Sequence, residues 1–372
     1  MTDGWRPAWA EVDLDAIRHN AGVLRELTAP AALCAVVKAD GYGHGAVPVA
    51  RAALDGGATW LAVALVEEGV ALRAAGIDAP VLLLSEPPVD ALGEVVAHRL
   101  VPTLYTAKGV EAAAGAAGAT LPVHVKVDTG MHRVGATPDD AVAVARAVAD
   151  APSLELQGFW THLAVADEPD DPYTTEQLER FEDARRRLAG AGLDPELVHA
   201  ANSAGAIAHP AARYDLVRCG IALYGEAPSP AVGAAIGLRP ALSLKAGVSF
   251  VKPLAAGERV SYGLRWRADR DTVLATVPIG YADGVTRRLS AVGGEVLVGG
   301  RRCPIAGTVT MDQITVDCGP GATVAPGDEV VLIGRQGEEE VTAAEWAARL
   351  DTISYEVLCG IGSRVPRVHR NL

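Results

Sequence analysis

Lysine is scarce in this 372-residue sequence, with five residues against twenty-eight arginines. Positive charge is outnumbered altogether: the net charge is −13 and the pI about 5.2, which argues against nucleic-acid or anionic-membrane partners. The five cysteines, at 34, 219, 303, 318 and 359, form no CxxC pair. Zinc binding and a disulfide framework are therefore not expected, and reduced thiols in a cytoplasmic protein are. No basic segment leads into an apolar core at the N-terminus, so a signal peptide is not expected, and no apolar run approaches a membrane span. A dinucleotide fingerprint is missing too, since no GxGxxG opens a helix after the first strand. What is present is the balance of a globular protein, 49% hydrophobic and 21% charged, at a length that affords a large core and more than one domain.

The first half alternates. Apolar strand candidates fall near 33–37, 60–65, 81–84, 101–104, 123–127, 156–162, 197–201 and 216–218. Between most of them lie Ala- and Arg-rich stretches with helical spacing, such as 46–54, 67–75, 139–150 and 175–191. Eight strands alternating with helices predict an N-terminal (β/α)8 TIM-type barrel, with an open doubly wound sheet as the alternative. The pattern changes near Pro240. From Ala241 the candidates are short, alternate apolar with polar, and are punctuated by Gly and Pro: Leu242–Val251, Arg259–Tyr262, Val273–Pro278, Glu295–Val298, Ile314–Asp317 and Glu329–Ile333. That predicts a mostly β C-terminal domain over 241–372, after a barrel over 1–240. One helix is expected at Ala343–Leu350, with Thr342 as N-cap and Glu345 completing a capping box.

Scarcity makes one lysine informative. The run Leu33–Val37 ends on Lys38 and passes at once into Ala39-Asp40-Gly41-Tyr42-Gly43-His44-Gly45. A chain that prefers arginine for plain positive charge has placed at a strand end the one cation that can lose its proton and form an imine with an aldehyde. By itself this fits a lysine snorkelling from a strand end equally well. The other strand ends decide. They carry Lys126-Val-Asp128-Thr-Gly-Met-His-Arg133, Trp160-Thr-His162, Asn202-Ser203 and Arg218-Cys-Gly220-Ile221. In a barrel, strand ends share one mouth, where charged groups are costly to bury without purpose.

These stretches, together with Val260-Ser-Tyr262-Gly, Pro278-Ile-Gly-Tyr281-Ala-Asp-Gly284, Met311-Asp312-Gln313, the opening Trp9-Ala-Glu-Val-Asp-Leu and the closing Arg364-Val-Pro, resemble alanine racemase in order and spacing over essentially the whole chain. The resemblance implies a barrel plus a β domain, with residues 9–14 able to pair with the latter. It implies pyridoxal 5'-phosphate as cofactor and alanine as substrate, supplying D-alanine for peptidoglycan. It also implies a cytoplasmic homodimer whose active sites each draw on both subunits.

The same resemblance assigns roles. Lys38 holds the cofactor covalently and then acts as base towards the α-proton of D-alanine. Tyr262 of the partner chain serves the opposite face, towards L-alanine, with His162 and Arg218 hydrogen-bonding outward from it. Arg218 meets the pyridine nitrogen, and a guanidinium, which keeps its proton, leaves that nitrogen unprotonated. Barrel decarboxylases with this cofactor place an acid there. Phosphate contacts fall to Tyr42, Ser203 and the backbone N–H groups of Gly220 and Ile221. Arg133 binds the substrate carboxylate and Met311 lines the pocket, supported by Asn202, Tyr281 and Asp312. Lys126 is expected as a carbamate, or as a plain lysine beside Asp128. Ser363 stands where the family commonly has a tyrosine, which leaves a racemase of serine or another small amino acid as the alternative. A non-catalytic carrier of the cofactor is disfavoured by the β domain. No metal site is expected.

Overall fold

The structure is a computed structural model and describes residues 5–233 and 235–372. The chain divides into two compact units, 15–41 with 45–239, and 1–14 with 42–44 and 240–372. The first strand, β1 (Ala8–Asp13), belongs to the second of these.

The unit of 15–41 and 45–239 holds eight short strands: β2 (Ala32–Val36), β3 (Trp60–Val63), β4 (Val81–Leu83), β5 (Thr103–Leu104), β6 (Leu121–Lys126), β7 (Leu154–Trp160), β8 (Leu197–His199) and β9 (Leu216–Cys219). All pair in parallel, in the orders β4-β3-β2-β9 and β5-β6-β7-β8. Backbone bonds join the two sets: Leu83 N–H to Val101 O at 2.9 Å on one side, and Asp215 N–H to Val198 O and Arg218 N–H to Ala201 O, both at 3.0 Å, on the other. The barrel is therefore closed. Strands such as Trp60–Val63 and Val81–Leu83 are buried at every residue, which is why they read as unbroken apolar runs. Helices Ala46–Asp55, Val66–Ala74, Ala107–Ala116, Pro138–Asp150 and Tyr173–Gly190 return the chain between strands. Thr106 and Thr137 cap two of them, each accepting from a backbone N–H three residues on.

In the other unit the strands are β10 (Leu242–Gly247), β11 (Phe250–Leu254), β12 (Arg259–Val260), β13 (Trp266–Arg267), β14 (Thr272–Val277), β15 (Glu295–Val298), β16 (Arg301–Pro304), β17 (Ile314–Asp317), β18 (Glu329–Gln336), β19 (Glu339–Val341) and β20 (Arg367–Arg370). The main sheet runs β16-β15-β18-β10-β1-β20, with β19 on β18, and a smaller one runs β11-β14-β17. The N-terminal strand β1 thus lies between β10 and β20, antiparallel to one and parallel to the other.

Three expectations need correction here. Leu242–Val251 is two strands, because the chain leaves the main sheet after Gly247 and enters the smaller one at Phe250. Residues 259–262 form only a two-residue strand, since Ser261 takes a positive φ of 63° and starts a 3-10 turn at Tyr262. The helix Ala343–Leu350 begins on Thr342, whose Oγ1 accepts from Glu345 N–H at 2.9 Å, but the capping box is half made. The Glu345 carboxylate is drawn away to Arg302, at 2.8 Å, and Arg349, at 3.0 Å.

Candidate active site

After β2 the chain does something rare. Ala39, Asp40, Gly41 and Tyr42 have φ of 52°, 51°, 62° and 52°, one left-handed turn beginning at the half-buried Lys38. L-residues avoid this conformation, at a cost of about 1–2 kcal/mol each, so other groups must hold it. Asp40 Oδ1 accepts from Ala46 N–H at 2.8 Å, and Gly41 N–H bonds Val37 O at 2.9 Å. Glu68 accepts from Ala39 N–H at 2.6 Å with one carboxylate oxygen and from Ala64 and Leu65 N–H at 2.8 and 3.0 Å with the other. Glu68 had not been singled out from the sequence, where it sits in an ordinary helical stretch.

Arg218, on β9, is 2% exposed. Its guanidinium donates to Thr161 O at 2.9 Å, Ala200 O at 3.0 Å, His199 Nδ1 at 2.7 Å and, at 3.3 Å, His162 Nδ1. Carbonyls and imidazoles take the place of a carboxylate partner. Burial pulls its pKa down to about 10, which leaves it a cation at neutral pH. A guanidinium only donates, so His199 Nδ1 accepts and the His199 proton sits on Nε2. That nitrogen lies 2.9 Å from His124 Nδ1, which must accept in turn. Both rings are fully buried. Burial holds His124 down at about 3, and burial followed by the Arg218 charge keeps His199 and His162 well below the usual imidazole range. Arg218 is thus the one cation in a file of neutral imidazoles. His124 and His199 were missed because they lie inside strands 75 residues apart, where a lone histidine reads as core.

Lys126 ends β6 and is 3% exposed, with its Nζ 4.4 Å from the centre of the Trp160 ring. The Arg218 Cζ is 4.4 Å from the same ring. Burial, then the charges of Arg218 and Arg133, pull Lys126 down to about 7, with Asp128 opposing and Lys38 adding to the shift. Four cations therefore face one carboxylate. Asp128 spends an oxygen on the turn, accepting from Gly130 and His132 N–H at 2.9 and 3.1 Å. Arg133 stands exposed on that turn. Gln177, fully buried, holds the next strand end by donating to His162 O at 3.0 Å.

Two expected roles change. The Gly220 N–H donates to Ser203 Oγ at 2.9 Å, so it is engaged within the protein; the hydroxyl that receives it keeps its own proton for an anion. Asn202 is occupied in capping Ser203–Ala208, accepting from Gly205 N–H at 2.9 Å and donating to Leu163 O at 3.3 Å. Ile221 is buried at the start of the 3-10 turn that follows Gly220. A donor set of this kind, cation-rich and carrying a hydroxyl proton, fits an anionic cofactor and a carboxylate substrate.

The remaining expected residues belong to the β unit. Tyr42 is 8% exposed, and its ring lies 6.2 Å from that of Tyr355. The same turn is tied down by Arg367 Nε to Gly43 O and by His369 Nε2 to His44 O, both at 2.8 Å. Tyr355 is a further residue the sequence reading passed over. Tyr281 and Met311 share a backbone clasp, Tyr281 N–H to Thr310 O at 3.0 Å and Ala282 N–H to Met311 O at 3.1 Å. Gly280 permits it, since a Cβ there would meet Thr310 O at 2.3 Å. Arg364 bridges Asp312, at 2.7 Å, to the buried Asp283, at 3.3 Å, and Arg6 reaches Asp283 at 2.8 Å. Tyr262 is 72% exposed, and Leu264, Tyr281, Met311 and Phe250 are exposed with it.

A closed barrel with a lysine after its first strand and a buried, carboxylate-free arginine on its last, in one chain with a mostly β unit, defines the class: barrel-fold amino-acid isomerases. Comparison with known proteins agrees along the whole length. The family model for the alanine racemase N-terminal domain matches residues 12–228, and that for the C-terminal domain matches 241–369. An alanine racemase of Symbiobacterium thermophilum is 50% identical over 99% of this chain and 98% of its own length. One of Thermobifida fusca is 49% identical over 97% of this chain and 98% of its own. The solved alanine racemase of the D-cycloserine producer Streptomyces lavendulae superposes with a TM-score of 0.93 at 41% identity, covering 100% of this chain and 98% of that one. The chain belongs to the alanine racemase family, whose members are amino-acid racemases dependent on pyridoxal phosphate. None of the helices among the described residues is long and apolar enough to cross a membrane.

Proposed function

We propose that this chain interconverts L- and D-alanine by a two-base mechanism, with pyridoxal phosphate held at the barrel mouth and with a second copy of the chain completing each site. The observation that carries the reading is Arg218: a fully buried cation held by carbonyls and neutral imidazoles, with no carboxylate among its donors' partners. When bound, pyridoxal phosphate supplies an electron sink that makes the amino acid's α-proton removable.

The chain's own residues then divide the work. Lys38 Nζ attaches the cofactor and, once released, takes or returns the α-proton on one face. Tyr262 Oη of the partner chain does so on the other, so that a proton removed from one face is replaced on the opposite one. Arg218 donates without being able to surrender its proton, so it would hold the cofactor's ring without protonating it. His199 and His124 hold Arg218 in place. Ser203, Tyr42 and the Ile221 N–H take the phosphate, with Tyr355 beside Tyr42 and the Gly220 N–H holding Ser203. Arg133 takes the substrate carboxylate, with Met311 lining the pocket and Tyr281 and Asp312 supporting it. Lys126, drawn to about 7, offers a neutral amine to carbon dioxide at physiological pH, and the resulting carbamate balances the cation excess. The exposure of Tyr262, Leu264 and Met311 on a single chain supports their meeting a second copy.

Purified protein with added cofactor, incubated with a panel of L-amino acids and resolved by chiral chromatography, tests the reading. D-alanine is the expected product; turnover of serine alone overturns the substrate assignment.

A further inference from the structure

The β unit carries three cysteines that the racemisation chemistry leaves unused, and two of them lie at neighbouring strands. Cys303 lies on β16 and Cys318 follows β17; both are 3% exposed and both are free thiols. The two strands meet through an antiparallel bridge between Ile305 and Val316. Ala306 N–H donates to Thr315 O at 2.8 Å, which makes 306/315 a hydrogen-bonded pair and 305/316 the wider-ladder kind. Continued two residues beyond that isolated bridge, the same register sets Cys303 opposite Cys318 with the same parity. At such non-hydrogen-bonded positions the Cα atoms approach to about 4.5 Å and the side chains lie closest, within the separations of about 4.4–6.8 Å that disulfides span.

The pair differs from the chain's other cysteines. Burial pushes Cys34 and Cys219 up to about 12, which makes them inert packing, and Cys359 is exposed. Contact with Cys318 instead pulls the Cys303 thiol down, and the charge of Arg301 helps. Cys318 also lines a cavity of about 560 Å³ with Val298, Gly299, Arg301, Pro320 and Gln336, large enough to admit a small oxidant.

We propose that Cys303 and Cys318 form a reversible disulfide across the β16–β17 pair when the protein meets a peroxide. The Cys303 thiolate attacks hydrogen peroxide, breaking the O–O bond; the sulfur gains an OH and the departing hydroxide takes a proton to become water. Cys318 sulfur then attacks Cys303 sulfur, the S–S bond forms, and the OH leaves as a second water with the Cys318 proton. Two thiols lose two electrons and two protons in all, and the peroxide is reduced to two waters. The bond closes the segment 304–317, whose tip carries Thr310 and Met311. A link across so short a loop restricts the unfolded chain and fastens the base of the hairpin that presents Met311.

The test treats the holoprotein with hydrogen peroxide, blocks remaining thiols, and digests with a protease that cuts before aspartate. Cleavage at Asp312 and Asp317 places Cys303 and Cys318 on separate peptides. A linked pair of these peptides that dithiothreitol separates is expected, with the free-thiol count falling by two and the melting midpoint rising by about 5 °C in the oxidised form. Cys303→Ser is expected to abolish both the link and the rise. Sulfinic or sulfonic acid at either cysteine without a linked peptide overturns the proposal, as does linkage of either to Cys359. Because the peptides come from the unaltered protein, the result stands even where a substituted chain folds poorly. Racemase activity is not the readout, so the outcome is independent of the function proposed above.

Discussion

Arg218 in the barrel and Tyr262 in the β unit are held in opposite ways. Arg218 is 2% exposed, and its donors are met by two carbonyls and two imidazoles. Tyr262 is 72% exposed, with its backbone fixed, through Thr308 Oγ1 donating to Tyr262 O at 2.8 Å, and its ring bare. The barrel satisfies its polar groups internally: burial sets the charges and neutral histidines set the hydrogen bonds. In the β unit only the backbone is finished. The Gly280 clasp places Tyr281 and Met311 and leaves their side chains exposed, while the Arg364 bridge holds the Asp312 carboxylate. Large apolar side chains kept in the open on a well-braced backbone support the proposed meeting with a second copy.

The sharpest way to break this contrast is Lys38→Ala. Activity should fall at least about 10⁴-fold and the absorbance of the attached cofactor should vanish, while Tyr262 remains intact. Tyr262→Phe should come next, a loss of about 10³-fold with the cofactor still attached. Mixing matters more than either variant alone. Co-expressed Lys38→Ala and Tyr262→Phe chains should recover about a quarter of the wild-type activity, because half of the dimers are mixed and each mixed dimer has one intact site. Racemisation absent from the mixture would sink the shared site; normal racemisation by Tyr262→Phe would sink the two-base scheme.

Lys126 gives the pH dependence. Its folded pKa, about 7, lies below the unfolded value near 10.4, so the unfolded chain binds more protons between those limits. The unmodified amine therefore costs stability in full below pH 7, and that cost fades as pH rises towards 10.4. Urea unfolding of carbon-dioxide-free protein should show stability rising over this window, by on the order of a few kcal/mol, and Lys126→Met should flatten it. Carbon dioxide should remove the dependence by forming the carbamate, visible as a mass increment lost in acid. A rising curve that Lys126→Met leaves unchanged would assign the effect to another group.

His199→Phe should act on the buried side of the comparison alone. Arg218 loses an acceptor at 2.7 Å, which should cost about 1.5–3 kcal/mol in urea unfolding and shift the absorbance of bound cofactor, with Tyr262 undisturbed. Smallest of all, Thr342→Ala removes the cap of Ala343–Leu350 and should cost about 1 kcal/mol in the β unit, with no change in turnover.

Much of this was legible in the chain. The barrel strands are buried on both faces and so appear as short apolar runs, and Lys38, Lys126, His162 and Arg218 stand out as polar groups where such runs stop. Glu295–Val298, Ile314–Asp317 and Ala343–Leu350 have the bounds their patterns predict. Other features left no local trace. Glu68 looks like any helix carboxylate until Ala39, Ala64 and Leu65 direct their N–H groups at it. The left-handed turn after Lys38 includes Ala39 and Tyr42, residues that give no warning of a positive φ. Asn202, expected in a supporting role, caps the helix that begins at Ser203, which only the fold shows.

By itself, then, the sequence determined the element types and the change of character near Pro240, and it singled out Lys38 as the candidate lysine, because those follow from periodicity, burial and the chemistry of single side chains. The tertiary structure alone decided which distant groups meet. His124 protonates on the nitrogen that His199 leaves it, Lys126 is pulled to about 7 by cations from other strands, and Cys303 faces Cys318 through a register. Tautomers, shifted pKa values and strand registers are properties of pairs, and residues far apart in a chain become pairs only when it folds. Lys38 could be singled out by reading; the charges and hydrogen bonds around it could not.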